Sequence, residues 1–473
     1  CPQDDYYLKA HLFGDIFAGD QLTPADREIV TVAALSGLEG VAPQLAAHKQ
    51  GAVNMGNSQE TVDTLCAWLC QEGYMLNSRW PKGEANPFGK YFTGGTLRLD
   101  CLREGSAEGD TVWVERWVDR QSEWHGSRTQ LLDPFDNGDY RLSVRDARSG
   151  KEIYSRGYSN LFREYKATRM GRTERRRFEE TLLMPMPKRA VKIALQKRDS
   201  GMRLHDATVV DFDPRHRQLD SVWREGDRRD LEIHGVPARK VDVVIVAQGY
   251  GSEPQQKLAV DYYRMKEILF SQEPFKAHRE DFNIYGVKGD VGAEFKVFGI
   301  DRYLMTFSVH RLHDLIGTTP CDFIIVMVNS TDYGGGAIYN FYSVSSLHRM
   351  AEYVLPHEFG HAFGGLADEY VDEDMSYAGL HISNREPLEP NITNLVDFGS
   401  KWQSMLAEGT PVPTPENADA PRTECGPLGV YEGAGYAKRG VYRPAMHCMM
   451  RDYAPFCPVC VRRLEEVFKL YTR

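Results

Sequence analysis

The sequence predicts a multidomain chain in which a partial all-α segment and an all-β sandwich precede an α/β domain. Three observations predict it. The chain has 473 residues, more than one hydrophobic core organises. The spacing of its apolar residues changes along the chain, first helical, then alternating, then mixed with continuous apolar runs. Glycine- and proline-bearing stretches separate these regimes. Hydrophobic residues make up 42% and charged residues 26%, the balance of a folded chain and not of a disordered or collagen-like one. Lys+Arg number 57 against 67 Asp+Glu, a net charge of −10, which argues against nucleic acid as a partner held by phosphate contacts. The apolar runs Val243 to Ala247 and Phe323 to Val328 fall far short of a membrane span, so no transmembrane segment is expected. The chain opens on Cys1 and not Met, which reads as a cut start in preference to a mature lipoprotein.

Residues 1–73 read as helical. Thr23-Pro24-Ala25-Asp26 supplies an N-cap, a proline at the first helical position and an acid at the third. Ile29, Val30, Ala33 and Ala34 follow at helical spacing, and Asn57-Ser58 opens a further helix with Val62, Leu65, Cys66 and Leu69 on one face. Residues 74–90 hold Pro81, Gly83, Pro87 and Gly89 without sustained periodicity and read as a linker.

Over 91–213 the period falls to two. Leu97 and Leu99 alternate with Arg98 and Asp100, Val112 and Val114 flank Trp113, and Val191 to Leu195 forms a further strand. Turn signals at Asn137-Gly138 and Ser149-Gly150 punctuate a β-sandwich. The basic run Arg172 to Arg177 reads as a solvated loop. From 214 to 473 the character is α/β, with buried-type strands at Val241–Ala247 and Phe323–Val328. Neither a dinucleotide fingerprint nor a Walker Lys-Ser/Thr accompanies Gly334-Gly335-Gly336, so that triplet is a turn or a backbone edge facing a peptide, not a phosphate cradle.

The chemistry is concentrated in His357-Glu358-Phe359-Gly360-His361. Residues four apart share a helix face, so His357 and His361 can direct imidazole nitrogens at one Zn2+ ion. Glu358 stands beside the metal, where it takes a proton from activated water and returns it to the leaving amine. Gly364-Gly365 ends the helix and turns the chain back. Metzincin-type zincins place a third histidine six residues after the second; here that position is Ala367, and Asp368-Glu369 follow. Asp368 is the expected third ligand, with Glu369 as ligand the alternative. Pro356 directly before the pair means that the helix starts there or is kinked.

Met446, Met449 and Met450 are candidates for a hydrophobic floor beneath the metal. Tyr442 is a candidate donor to the oxyanion of the tetrahedral intermediate. Cys457-Pro458-Val459-Cys460 is half of a zinc knuckle or a redox pair, and because no second C-x-x-C lies near it, a structural disulfide from Cys448 is expected. His447 is expected to be packed or at the surface. The Asn391-Ile392-Thr393 glycosylation pattern is discounted.

From Tyr91 to Arg473 the chain resembles the bacterial IgA-peptidase family of zinc metallopeptidases. The resemblance rests on ordered motifs along this whole stretch. They include Phe178-Glu179-Glu180-Thr181, Pro185-Met186-Pro187-Lys188, Ala247-Gln248-Gly249-Tyr250, Asp301-Arg302-Tyr303-Leu304, Tyr333 to Gly336 and His357 to Tyr370. Further on come Lys401-Trp402, Gly409 to Pro415, Gly429 to Tyr436, Tyr442-Arg443-Pro444 and Phe456 to Cys460. The resemblance implies a β-domain, a zincin catalytic domain and export to a secreted, periplasmic or cell-surface location. It also implies ligands at His357, His361 and the acidic pair, Glu358 as base, and Met450 as the floor methionine. The segment between Asn283-Ile284-Tyr285 and Asp301-Arg302-Tyr303 is shorter than the family leads one to expect. The implied substrate is a protein or glycoprotein; immunoglobulin is one candidate that membership alone does not single out.

Residues 1–72 resemble part of a carboxymuconolactone decarboxylase-like domain, a helical and usually cytoplasmic family. Leu8 to Phe13, Arg27 to Ala34, Gln44 to His48 and Asn54-Met55-Gly56 carry that likeness. Peroxide-reducing relatives bear a C-x-x-C where this chain has Val41 and Gln44, so thiol chemistry is not expected; Cys66 and Cys70 read as core residues. Glu28 and His48 remain a candidate acid-base pair. The leading expectation is a zinc-dependent endopeptidase. The alternatives are a lyase or reductase centred on His48 and a zinc-binding scaffold without turnover.

Overall fold

The computed structural model describes residues 22–36, 42–71, 88–221, 228–372, 384–416 and 421–472. The chain divides into two compact units, Cys1–Ala85 and Asn86–Arg473, and each has a hydrophobic core of its own.

The first unit contains α1 (Pro24–Ser36), α2 (Ala42–Asn54) and α3 (Gln59–Gln71). Thr23 caps α1 reciprocally: the Asp26 N–H donates to Thr23 Oγ1 at 3.1 Å, and the Thr23 N–H donates back to the Asp26 carboxylate at 3.3 Å, the logic of a capping box. Ser58 caps α3 by accepting from the Thr61 N–H at 3.0 Å. Val32, Leu45, Ala52 and Val62 form the core. The buried face of α1 is rotated from the expected one. Ile29, Val32 and Ser36 turn inward, whereas Val30 is 55% exposed, because α1 packs against both α2 and α3. Most of the expected linker, 74–87, lies outside the described residues, and a helical turn has already begun at Phe88.

The second unit begins with β1 (Phe92–Ser106), β2 (Gly109–Glu123), β3 (Tyr140–Asp146), β4 (Glu152–Tyr158), β5 (Arg176–Pro187), β6 (Val191–Arg198), β7 (Leu204–Phe212) and β8 (Asp220–Ser221). These form two four-stranded sheets, ordered β5-β1-β2-β8 and β4-β3-β6-β7. Side chains meet between them: Trp117 stacks on Phe212 at 5.1 Å, Arg103 lies 3.8 Å over the Tyr140 ring, and Tyr158 donates to Glu180 at 2.8 Å. The alternation in β1 does not mark a wet face. Arg98 and Asp100 are as buried as Leu97 and Leu99, since α5 (Val309–Ile316) contributes Asp314, 2.7 Å from the Arg98 guanidinium. Arg98 also holds Asp100 through two hydrogen bonds of 2.7 and 2.9 Å and donates to the His310 carbonyl. The basic run is largely exposed, but it is not all loop: a helical turn ends at Thr173 and β5 starts at Arg176.

The remaining strands are β9 (Arg229–Glu232), β10 (Val241–Gln248), β11 (Phe282–Lys288), β12 (Glu294–Phe295), β13 (Leu304–Met305), β14 (Phe323–Val328), β15 (Gly335–Ile338), β16 (Tyr342–Ser346), β17 (Tyr431–Ala434) and β18 (Ala437–Arg443). Six of them make a mixed sheet ordered β15-β16-β14-β10-β11-β9. Its four inner strands are parallel and both edge strands antiparallel. Central strands buried on both faces are continuously apolar, as β14 and Val243 to Ala247 of β10 are. Successive residues of a strand face opposite sides. Val241, Val243 and Ile245 share one core with α4 (Gln255–Leu269), α6 (Ala351–Gly364) and α7 (Pro458–Tyr471). There Phe363 of α6 lies 4.9 Å from Phe323 and 5.0 Å from Phe468 of α7. Among the described residues no helix is long and apolar enough to cross a membrane.

Candidate metal centre

Helix α6 begins at Ala351, five residues before Pro356. The histidine pair therefore sits in its interior and not in its first turn, and Pro356 leaves the Glu352 carbonyl without the usual i→i−4 donor. The helix stops at Gly365 in the left-handed conformation (φ 63°, ψ 32°), whose N–H donates to the His361 carbonyl at 3.0 Å. Only glycine fits there. A Cβ would meet Asn137 Nδ2 and, at 3.0 Å, the ring of Tyr339.

This stop brings Asp368 back over the histidines. Asp368 Oδ1 lies 3.0 Å from His357 Nε2 and 3.4 Å from His361 Nε2, and the two Nε2 atoms are 3.1 Å apart. Both rings are fixed from behind. His357 Nδ1–H donates to the Met449 carbonyl at 2.8 Å, and His361 Nδ1–H donates to the Leu366 carbonyl at 2.6 Å. Carbonyls only accept, so each ring carries its proton on Nδ1 and turns Nε2 toward the shared centre. Asp368 Oδ1 is buried and receives no hydrogen bond, while its other oxygen accepts from the Tyr436 hydroxyl. Two imidazole nitrogens and a carboxylate oxygen converging on one point suit a tetrahedral site with one position left open.

The electrostatics follow from this convergence. Burial works against the charged His361 ring, but Asp368 overcomes it and pushes the ring up to about 9. Burial likewise opposes the Asp368 carboxylate, yet the two histidines hold it well below its ordinary range. Burial raises Glu358, partly offset by the same histidines. Glu358 reaches the edge strand β15, where a Cβ on Gly335 would stand 3.0 Å from Glu358 Oε1. The glycine triplet thus provides close approach between strand and helix.

The cleft over this centre is lined by Glu358, Gly335, Ala337, Tyr370 and Tyr436, together with Asn137, Asn160 and Glu164 from the segments between N-terminal strands. Burial raises Glu164 to about 7, against the lowering effect of the Tyr303 hydroxyl that donates to it. Tyr442 is not among the lining residues. It lies on β18, half-buried against the main core, and its backbone exchanges hydrogen bonds with Thr393. Tyr436, which does reach the centre, sits at a left-handed turn position (φ 67°) and has no periodic neighbour that would have singled it out. Met450 is fully buried beneath α6, its sulfur 2.9 Å from where a Gly360 Cβ would stand. His447 is packed against Asp452 at 2.7 Å.

The disulfide expected from Cys448 is absent. Cys448, Cys457 and Cys460 are free and buried, with the Cys448 and Cys460 sulfurs 3.7 Å apart, far beyond a bond of about 2.05 Å. Glu369 points away from the histidines into this thiol group, its Oε1 3.3 Å from the Cys460 sulfur. Asn391 is fully buried and donates to Glu369 Oε1 at 2.8 Å and to the Ala367 carbonyl at 2.9 Å, so its glycosylation pattern is inaccessible. In the first unit, His48 Nδ1 lies 2.8 Å from Glu28 Oε2.

Residues 87–208 match the Peptidase M64 N-terminus model, and residues 230–291, 288–425 and 420–468 match the IgA Peptidase M64 model. Residues 6–75 match the carboxymuconolactone decarboxylase family. No curated protein matches the chain. The chain belongs to the IgA Peptidase M64 family, with a carboxymuconolactone decarboxylase-family segment at its N-terminus. It is a peptidase, its substrates are proteins, and M64 peptidases are metallopeptidases.

Proposed function

We propose that this peptidase is a zinc-dependent endopeptidase in which His357, His361 and Asp368 hold the metal and Glu358 is the general base. The observation that carries the reading is the convergence of three ligand atoms within 3.0–3.4 Å of one another, with both Nδ1 protons tied to backbone carbonyls. Asp368, not Glu369, is the third ligand in this reading, because the Glu369 carboxylate is turned toward the thiols. The associated fold is an α/β zincin, with the metal-bearing helix under an antiparallel edge strand. The corresponding domains are 91–213 and 214–473, after a helical segment to 73 and a linker over 74–90.

A zinc ion bound there supplies Lewis acidity, which polarises a carbonyl and brings the pKa of water to roughly 7. Glu358, raised by burial, accepts the proton of the attacking water and delivers it to the departing amine. Tyr436 anchors Asp368 through its second oxygen. The outer edge of β15 at Ala337 offers backbone groups to an extended peptide. The test is Glu358→Gln. It should retain zinc and lose roughly 10²–10⁴-fold in cleavage rate on a panel of unfolded, glycosylated and immunoglobulin substrates. A wild type that cleaves none of the panel, and that the variant matches, would sink the endopeptidase assignment and leave a zinc-binding scaffold. The 2.8 Å Glu28–His48 pair favours a separate acid-base chemistry for the first unit, read out by loss of any lyase or reductase activity in His48→Ala with proteolysis unchanged.

A further inference from the structure

The thiol group behind the histidine centre is not used by the reaction described above. It brings together Cys448, Cys457, Cys460 and Glu369, whose ligand atoms all lie within 4.8 Å of one another and whose side chains are all buried. The residues come from three places: the end of the α6 return, the segment below it, and the first turn of α7, where Cys457 is the N-cap.

We propose that Glu369, Cys448, Cys457 and Cys460 bind a second zinc ion, a structural one, directly behind the first. Three observations carry this. The first is spacing. A zinc–sulfur bond of about 2.3 Å places two tetrahedral thiolates about 3.8 Å apart, and the Cys448 and Cys460 sulfurs are 3.7 Å apart. That distance is too long for a disulfide, and four donors in this cluster suit a closed site with no open position. The second is an uncompensated carboxylate. Glu369 is fully buried, and its Oε2 has no hydrogen-bond partner. A buried carboxylate oxygen left without a partner is costly, and a cation placed among these four side chains would supply one. The third is preparation of the sulfurs. The Cys457 N–H donates to the Cys448 sulfur at 3.3 Å, and Cys457 and Cys460 sit together at the N-terminus of α7, so backbone geometry already gathers the three sulfurs. Small apolar packing accounts for three buried cysteines; it does not account for the carboxylate aimed among them.

The second site would act on the first through shared backbone. Asp368 and Glu369 are consecutive, the Glu369 N–H donates to the Met450 carbonyl at 2.8 Å, and the Met449 carbonyl holds His357. A zinc ion joining Glu369 to Cys448 therefore clamps the segment that orients a ligand of the neighbouring centre.

The test uses the full chain purified under reducing conditions, with zinc counted by elemental analysis and its neighbours read by X-ray absorption. Two zinc ions per chain are expected, with a sulfur shell at about 2.3 Å. His357→Ala/His361→Ala should keep one zinc, now with predominantly sulfur neighbours, and Cys457→Ser/Cys460→Ser should lose the sulfur shell. The wild-type spectrum decides the matter if the cysteine variant fails to fold. At most one zinc per chain with only nitrogen and oxygen neighbours would overturn the proposal. So would a disulfide among the three cysteines in peptide maps of the native protein.

Discussion

Replacing Gly365 by alanine tests whether the turn after α6 is what assembles the metal centre. The residue has φ 63° and ψ 32°, a conformation that costs an L-residue about 1–2 kcal/mol. Its Cβ would also press on Asn137 Nδ2 and on the Tyr339 ring, an overpacking penalty of about 1–3 kcal/mol. Gly409 is the internal control: its φ is 81°, and a Cβ there meets nothing within 4 Å, so Gly409→Ala should cost only the backbone part, about 1–2 kcal/mol. Thermal unfolding of the two variants isolates the difference. Gly365→Ala should unfold at the lower temperature and also hold zinc less tightly against a chelator, because Leu366, whose carbonyl fixes His361, is the next residue. Equal melting of the two variants, with zinc retention unchanged, would refute the argument.

Three further outcomes follow from the same geometry. In chelated protein the His361–Asp368 pairing, which lifts the ring from 6.5 to about 9, contributes on the order of 3 kcal/mol. Because the folded value is raised, that stability is complete below pH 6.5 and is lost as pH rises through 9; a gap in melting temperature to His361→Ala that stays constant from pH 6 to 9.5 would contradict it. Tyr436→Phe frees Asp368 Oδ2 and should lower zinc affinity by roughly 10–100-fold, measured by competition with a chelator; an unchanged affinity removes Tyr436 as a positioning residue. Arg98→Ala removes two hydrogen bonds from buried Asp100, which keeps Arg116 and Thr181 as partners, a loss of about 1.5–3 kcal/mol in denaturant unfolding, and a loss below about 1 kcal/mol would show that the network is dispensable.

The parts of this molecule that were legible in its sequence are those governed by local period. His357 and His361 are four apart on a helix, and Val243 to Ala247 is continuously apolar because both faces of β10 are covered. The Thr23 cap needed only three neighbouring residues. What was not legible depends on partners far along the chain. Arg98 and Asp100 look like a solvent face until α5 supplies Asp314. Val30 and Val32 are equally apolar, and only the presence of two partner helices selects Val32. Tyr436 reaches Asp368 through a left-handed turn, not through any spacing. The cysteines suggested a disulfide because their fourth neighbour is a glutamate beyond the end of α6, and no cysteine count reveals it.

One wall of the cleft has an evolutionary consequence. Asn137, Asn160 and Glu164 come from segments and a short helix that connect strands of the N-terminal sheets, whereas the atoms proposed to bind the metal come from α6 and the turn beyond it; Asn137 donates to the carbonyl of Gly365, 228 positions along the chain. Under the proposed reading, one wall of the cleft and the groups that would hold the metal are thereby contributed by separate segments of the chain. Changes in those connecting segments would then reshape the cleft without replacing His357, His361 or Asp368, provided that the contact at Gly365 survives. Exchanging residues 137–164 between relatives should accordingly transplant specificity while leaving the hydrolytic machinery in place.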